Sequence, residues 1–157
     1  MAVGWDRPAP PAEEAAIARV ERELGIELPA DYRESLGRQN GGEPEPNFYS
    51  RRASVRYLYS AGQTGLEDID DLETEARRSW ADPQTDPPED PMDPSLLPIG
   101  EDEGVNLICL VVSGKDAGAV YFRSSDVPES PEAYIRLTDT FSEFFDALRP
   151  RDELDVS

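Results

Sequence analysis

Few side chains in this sequence are of the kinds that do covalent or metal chemistry, and those few are poorly placed for it. The one cysteine, Cys109, lies between Ile108 and Leu110, and the chain has no histidine to act as its base. A thiol in that setting reads as a small buried hydrophobe rather than a nucleophile. Zinc fails on the same counts, because its sites draw on several Cys and His together. Asp68, Asp70 and Asp71 have the look of cation ligands. Their segment lacks the alternating oxygen ligands, central glycine and closing glutamate of a calcium loop, so they read as acids at the front of a helix. Arg51, Arg52 and Arg56 lie among aromatic residues, a mixture that stacks on RNA bases in other settings; here pairing with nearby acids is the simpler reading. The phosphate-cradling patterns G-x-x-x-x-G-K-[ST] and G-x-G-x-x-G are absent, as is the G-x-S-x-G nucleophile turn. Acids are too numerous for the spacing of a carboxylate pair to mean anything. The residues therefore imply no enzyme, no metal and no cofactor.

Charge is the strongest chemical signal. The 157 residues include 34 acids and 15 bases, a net charge of -19, with Lys115 the sole lysine. Phosphate backbones and anionic membranes both demand a basic surface, so nucleic acid and membrane are excluded as partners. A basic protein partner is favoured, because complementary charge speeds encounter and suppresses wrong pairings. A compositional bias or a salt-adapted cytosol is the competing explanation. The acids are densest where bases vanish: no Lys or Arg lies between Arg78 and Lys115, while Asp82, Asp86, Glu89, Asp90, Asp93, Glu101, Asp102 and Glu103 do. The candidate partner-binding residues are Asp86, Glu89, Asp90, Asp93, Glu101, Asp102 and Glu103, together with Asp116 beyond the block. Residues 82–95, with five prolines, read as an extended exposed loop, either simply solvated or part of that partner surface.

The elements that would position these residues centre on Leu96–Phe122. Val105–Val112 is apolar on both faces, the mark of a strand covered on both sides in the middle of a sheet. A Gly-containing link, about four to six residues long, leads into a second strand at Ala119–Phe122. Upstream, residues 1–11 read as a Pro-rich lead-in. Ala12–Leu24 has helical periodicity and Gly25 to stop it. A short helix spans about Pro29–Arg38, with the Tyr32 ring in the core and its hydroxyl at the rim, and Asn40-Gly41-Gly42 ends it. Residues 43–52 read as loop, Val55–Tyr59 as a half-exposed strand, and Leu66–Trp80 as a helix. Downstream, Tyr134–Leu137 reads as an edge strand that leaves pairing with a second copy, a homodimer, open. Thr140-Phe141-Ser142-Glu143 matches a capping box, and Phe141, Phe144, Phe145 and Leu148 give the following helix its apolar face. Residues 150–157 form a tail. The whole is expected to be one α+β domain over 1–157, a mostly antiparallel sheet with N-terminal helices and a C-terminal helix packed on it. The start lacks a signal-peptide core and no run approaches a transmembrane span, so the expected location is cytoplasmic.

An ordered set of short matches resembles the SUKH superfamily, named partly for the Smi/Knr regulator of fungal cell-wall synthesis. These are Glu23-Leu24-Gly25 with Leu28-Pro29 and Tyr32, then Asn40-Gly41-Gly42. Next come Leu97-Pro98-Ile99-Gly100 with Gly104, Asn106, Cys109-Leu110, Gly118 and Val120-Tyr121-Phe122, and last Phe141-x-x-Phe144. The resemblance implies the same α+β fold, with Gly41, Gly42 and Gly100 serving backbone angles and Leu97, Ile99 and Tyr121 serving the core. It also implies a non-catalytic protein-binding role. Bacterial members resemble immunity proteins that neutralise a cognate toxin, often one attacking nucleic acid, so the partner implied is a basic toxin domain. The alternative is a regulatory or scaffold domain of the Smi/Knr type acting on host proteins. The acidic insert at 82–95 departs from the compact pattern of the family.

Overall fold

The computed structural model describes residues 11–50, 53–62, 71–80 and 92–150, and the backbone of 4–8. In chain order the elements are β1 (Gly4–Pro8), α1 (Glu14–Leu24), α2 (Ala30–Arg38), β2 (Gly42–Glu45), β3 (Tyr57–Leu58), α3 (Leu72–Trp80), β4 (Leu96–Glu101), β5 (Leu107–Val111), β6 (Val120–Arg123), a 3-10 turn at Pro131–Ala133, β7 (Tyr134–Thr138) and α4 (Phe141–Asp146). Among the described residues the strands form one seven-stranded sheet in the order β1 to β7. Every neighbouring pair is antiparallel, so the fold is α+β with each strand lying beside its predecessor.

Alternation along the central strands divides the core in two. Ile108 and Leu110 of β5, Val120 and Phe122 of β6, and Leu97 and Ile99 of β4 join buried side chains from all four α-helices: Ile17 and Val20, Tyr32 and Leu36, Leu72 and Ala76, Phe141 and Phe144. Leu107 and Cys109 point the other way and form a smaller cluster with Met92, bordered by Trp80, Leu96 and Tyr121. β5 is buried along its whole length, as its two-faced apolar pattern requires. The ladder with β6 ends where the Val111 N–H donates to Ala119 O (2.9 Å) and the Gly118 N–H to Val111 O (2.8 Å), leaving 112–117 as the link.

The helices begin and end where local chemistry says they should. Gly25 closes α1 at φ 67, a conformation glycine adopts without strain. Thr140 caps α4, its hydroxyl accepting from the Glu143 N–H at 3.1 Å. Asp71 does the same for α3, accepting from the Thr74 N–H at 2.8 Å; Asp68 and Asp70 lie outside the described residues. Arg33 ties α2 to α1, binding Glu14 and, at 3.2 Å, Glu21. Its bond to Glu14 holds that carboxyl below the usual range.

Several expectations are corrected. Within the proline-rich start, Gly4–Pro8 is a strand that pairs with β2. It lies at the sheet edge, where a proline removes no needed donor. Part of the expected 43–52 loop is β2, and Leu96–Glu101 is a strand in its own right. Pro98 is accommodated by a register shift between Pro98 and Gly100, the usual place for a proline inside a sheet. Gly100 serves proximity and not a backbone angle: a Cβ there would lie 2.8 Å from Tyr57 O and from Leu58 Cδ2. The half-exposed reading of Val55–Tyr59 holds for Val55, Tyr57 and Tyr59, which are buried, and for Arg56, which is exposed; Leu58 departs from it, buried in the main core where it lies over Gly100. The Tyr32 hydroxyl does not reach a rim. It is buried and has no hydrogen-bond partner among the described residues, and burial pushes its pKa up. The ring packs edge-on against Phe141 with centroids 4.9 Å apart.

Candidate protein-binding surface

The β4–β5–β6 meander has two ends, and strand geometry carries the predicted acids to both. β4 begins next to Val111 and ends next to Leu107, a run of roughly 16 Å at about 3.3 Å per residue. Asp93 therefore lies at the end of the sheet occupied by the 112–117 link, while Glu101, Asp102 and Glu103 lie at the opposite end.

At the 101–106 end, two of the three acids face inward. Glu101 is 7% exposed and accepts from the Tyr59 hydroxyl at 2.9 Å. Asp102, also 7% exposed, organises the β4–β5 turn. Its Oδ1 accepts from the Gly104 and Asn106 N–H groups at 2.9 and 2.8 Å, and its Oδ2 from Asn106 Nδ2 at 3.0 Å. Only Glu103 of the triad is exposed. The turn is further pinned by Ser125, whose N–H donates to Asn106 Oδ1 at 2.8 Å and whose hydroxyl donates to Val105 O at 2.6 Å. Between these bonds Val105 is held at φ 63 and 57% exposed, an outlier for a β-branched residue.

At the other end, Asp93 and Asp116 are exposed. Asp93 accepts from the Ser95 N–H at 2.9 Å. Asp116 lies 3.6 Å from Arg136, which also binds Asp139 at 2.8 Å and rests over the Tyr121 ring, 5.9 Å from its centroid. The bond to Asp139 and the neighbouring Tyr121 raise the Arg136 pKa further, so this cation is permanent. A groove of about 400 Å³ opens here on the sheet face that bears Cys109. Leu96, Val111, Tyr121, Pro131 and Tyr134 supply its apolar and aromatic walls, and the 113–116 link closes one end. Asp86, Glu89 and Asp90 lie outside the described residues.

The groove's walls are fixed from below and behind. Met92 donates its N–H to Ser79 O at 2.8 Å, and the Trp80 indole donates to Leu96 O at 2.8 Å. These bonds anchor the 92–96 wall to the end of α3. On the far wall, Glu129 receives the Tyr134 hydroxyl at 2.7 Å and Arg123 Nε at 3.0 Å; burial pushes the Tyr134 pKa up, with Glu129 adding to it. Behind them Cys109 is fully buried, and burial raises its thiol to about 12, which leaves it a neutral packing group. Among the described residues no group of three or more His, Cys, Asp or Glu is arranged to hold a metal ion, and no helix is long and apolar enough to cross a membrane. What the groove offers chemically is recognition: an apolar, aromatic floor with charged groups at its lip.

Sequence reasoning did not single out Leu96, Val111, Tyr134 or Arg136 for binding, and it gave Tyr121 to the core, whereas Tyr121 is half-buried at the border of the smaller cluster and lines the groove. The signal available was the apolar outer face of β5, which says that something else must cover that side of the sheet. It does not say how much of that face stays open.

The model of the SMI1 / KNR4 family (SUKH-1) matches residues 11–147. No curated protein matches the chain significantly.

Proposed function

We propose, on the premise that this chain belongs to the SMI1/KNR4 family (SUKH-1), that it is a non-catalytic cytoplasmic protein that binds and neutralises a cognate toxin. Family membership supports a protein-binding role of the immunity or Smi/Knr type, and the match over residues 11–147 is the observation that carries the reading. The net charge of -19 supports the immunity version. A toxin that acts on nucleic acid must present a basic cleft to its substrate, and an acidic protein that occupies such a cleft competes for the same charges. Inhibition then needs no reaction, only occupancy.

Co-expression with the product of the adjacent reading frame tests this. Cells that express the neighbour alone are expected to stop growing, and cells that express both are expected to grow. Toxicity that persists in the presence of this protein, or a neighbour without toxicity, overturns the reading. Binding that weakens as salt is added marks the electrostatic contribution. The same family match supports a second reading, a regulatory domain of the Smi/Knr type that acts on host proteins. In that case deletion of the gene changes growth in cells that carry no toxin.

A further inference from the structure

We propose that the groove at the 112–117 end of the sheet is the seat for a basic, extended segment of a protein partner, one that brings an apolar side chain into the groove and guanidinium or ammonium groups to its lip. This deepens the binding reading above and rests on it.

Three observations carry the assignment. First, Leu96, Val111, Tyr121 and Tyr134 give the groove its apolar and aromatic lining; tyrosines supply large contact area with few rotatable bonds, which is why they recur at binding hot spots. The walls are already ordered, by Trp80 and Met92 on one side and Glu129 on the other, so little ordering cost remains for binding. Second, the lip is net acidic. Lys115 and Asp116 line the groove and balance each other; beside the lining, exposed Asp93 binds the Ser95 N–H, exposed Glu132 follows Pro131, and Asp139 pairs with Arg136 over Tyr121. Third, the chain itself shows how this lip receives a cation. Arg136 lies over Tyr121 between Asp116 and Asp139, an aromatic face flanked by carboxylates. The contact to Asp116 is the long one, at 3.6 Å between two exposed groups, and is readily exchanged for an incoming arginine. The opposite end of the meander presents fewer free acids. Two of its three predicted acids are spent internally.

The test uses the full-length protein, labelled for amide NMR, and two synthetic peptides of equal length and charge. One alternates arginine with leucine and the other alternates arginine with glycine. The arginine–leucine peptide is expected to shift the amides of Val111, Ser113, Lys115, Asp116 and Tyr121, and to bind about tenfold more tightly than the arginine–glycine peptide. Ser113→Trp, an exposed link position that fills the groove mouth, is expected to weaken that binding about tenfold, while Glu103→Lys at the far end changes it less than about twofold. Shifts centred on Glu103, Val105 and Asp126 overturn the proposal, as do equal affinities for the two peptides or no binding by either. An unchanged amide spectrum elsewhere in Ser113→Trp shows that the variant is folded; if it is not, Asp116→Lys replaces it with the same expectation. In the co-expression assay, full protection by Ser113→Trp removes the groove from the mechanism and leaves the toxin-binding reading intact. Failure of the wild type to protect removes that reading, and the peptide titration still decides the groove.

Discussion

On one side of the sheet four α-helices close over Ile108, Leu110, Val120 and Phe122 and leave a continuous apolar core. On the other side, among the described residues, Leu107 and Cys109 cluster with Met92 and the borders of Trp80, Leu96 and Tyr121, and the groove opens beside Leu96, Val111 and Tyr121. The same strands thus serve both sides, with odd residues of β5 turned one way and even residues the other. The helical side has buried nearly everything it can bury, so its value is stability. The second side is ordered by a few hydrogen bonds from the 92–96 and 124–134 segments, which fixes a surface without filling it.

The contrast is tested first where the effect is largest. Phe144→Ala, in the fully buried side of the helical core, is expected to lower stability by about 3–5 kcal/mol. Asp116→Lys on the groove lip should change it by less than about 0.5 kcal/mol. Urea denaturation of both gives the comparison, and similar costs at the two sites would abolish it. Gly41→Ala comes next. Gly41 sits at φ 76, and an added Cβ would meet Leu58 O and Tyr59 O at 2.7 Å, so a loss of about 2 kcal/mol or more is expected, on the helical side and β3 together.

Asp102→Ala removes the acceptor of three hydrogen bonds and leaves their donors to find water. A loss of about 1–3 kcal/mol is expected, with amide shifts confined to the 101–106 end and none at Ser113–Asp116. Shifts that spread to the groove would show that the two ends are coupled. Val105→Gly acts in the opposite direction. It relieves a β-branched residue at φ 63 and is expected to raise stability by about 1 kcal/mol, read as a higher denaturation midpoint. A lower midpoint would show that the Val105 side chain contributes more than its backbone costs.

The smallest expected signal is no signal. Cys109 should resist alkylation in the folded protein at neutral pH and react once denaturant is added, because burial holds its thiol at about 12. The linked sign is a loss at alkaline pH. The unfolded chain releases this proton near the ordinary thiol value and the folded chain keeps it to about 12, so stability is full below that ordinary value and falls as pH rises through the interval. The raised Tyr32 and Tyr59 hydroxyls act with the same sign. A denaturation midpoint that is flat or rising from neutral to strongly alkaline pH would contradict this burial.

Much of the framework was legible because it depends on residues close in sequence. The two-faced apolar run at β5, the Gly25 stop and the Thr140 cap each follow from a local pattern, and the structure has them at Leu107–Val111, Gly25 and Thr140. β1, β2 and β4 were not legible as strands, because each contains a proline that local rules count against pairing, and only position at an edge or beside a register shift redeems it. The acids divided the same way. Asp116 and Glu103 are exposed as the charge pattern suggests, whereas Glu101 and Asp102 sit in the same acidic run and are buried.

By itself the sequence determined the α+β class, the buried strand around Cys109 and the net charge of -19. Tertiary structure alone decided which of the described acids stay exposed and which side chains line the groove. The physical reason is that a carboxylate is buried only when a donor meets it, and that donor is set by folding. For Glu101 it is the hydroxyl of Tyr59, 42 residues away in the chain. For the groove it is the strand ladder that lays Leu96 beside Val111 and Tyr121 beside Arg136, pairings that no local pattern encodes.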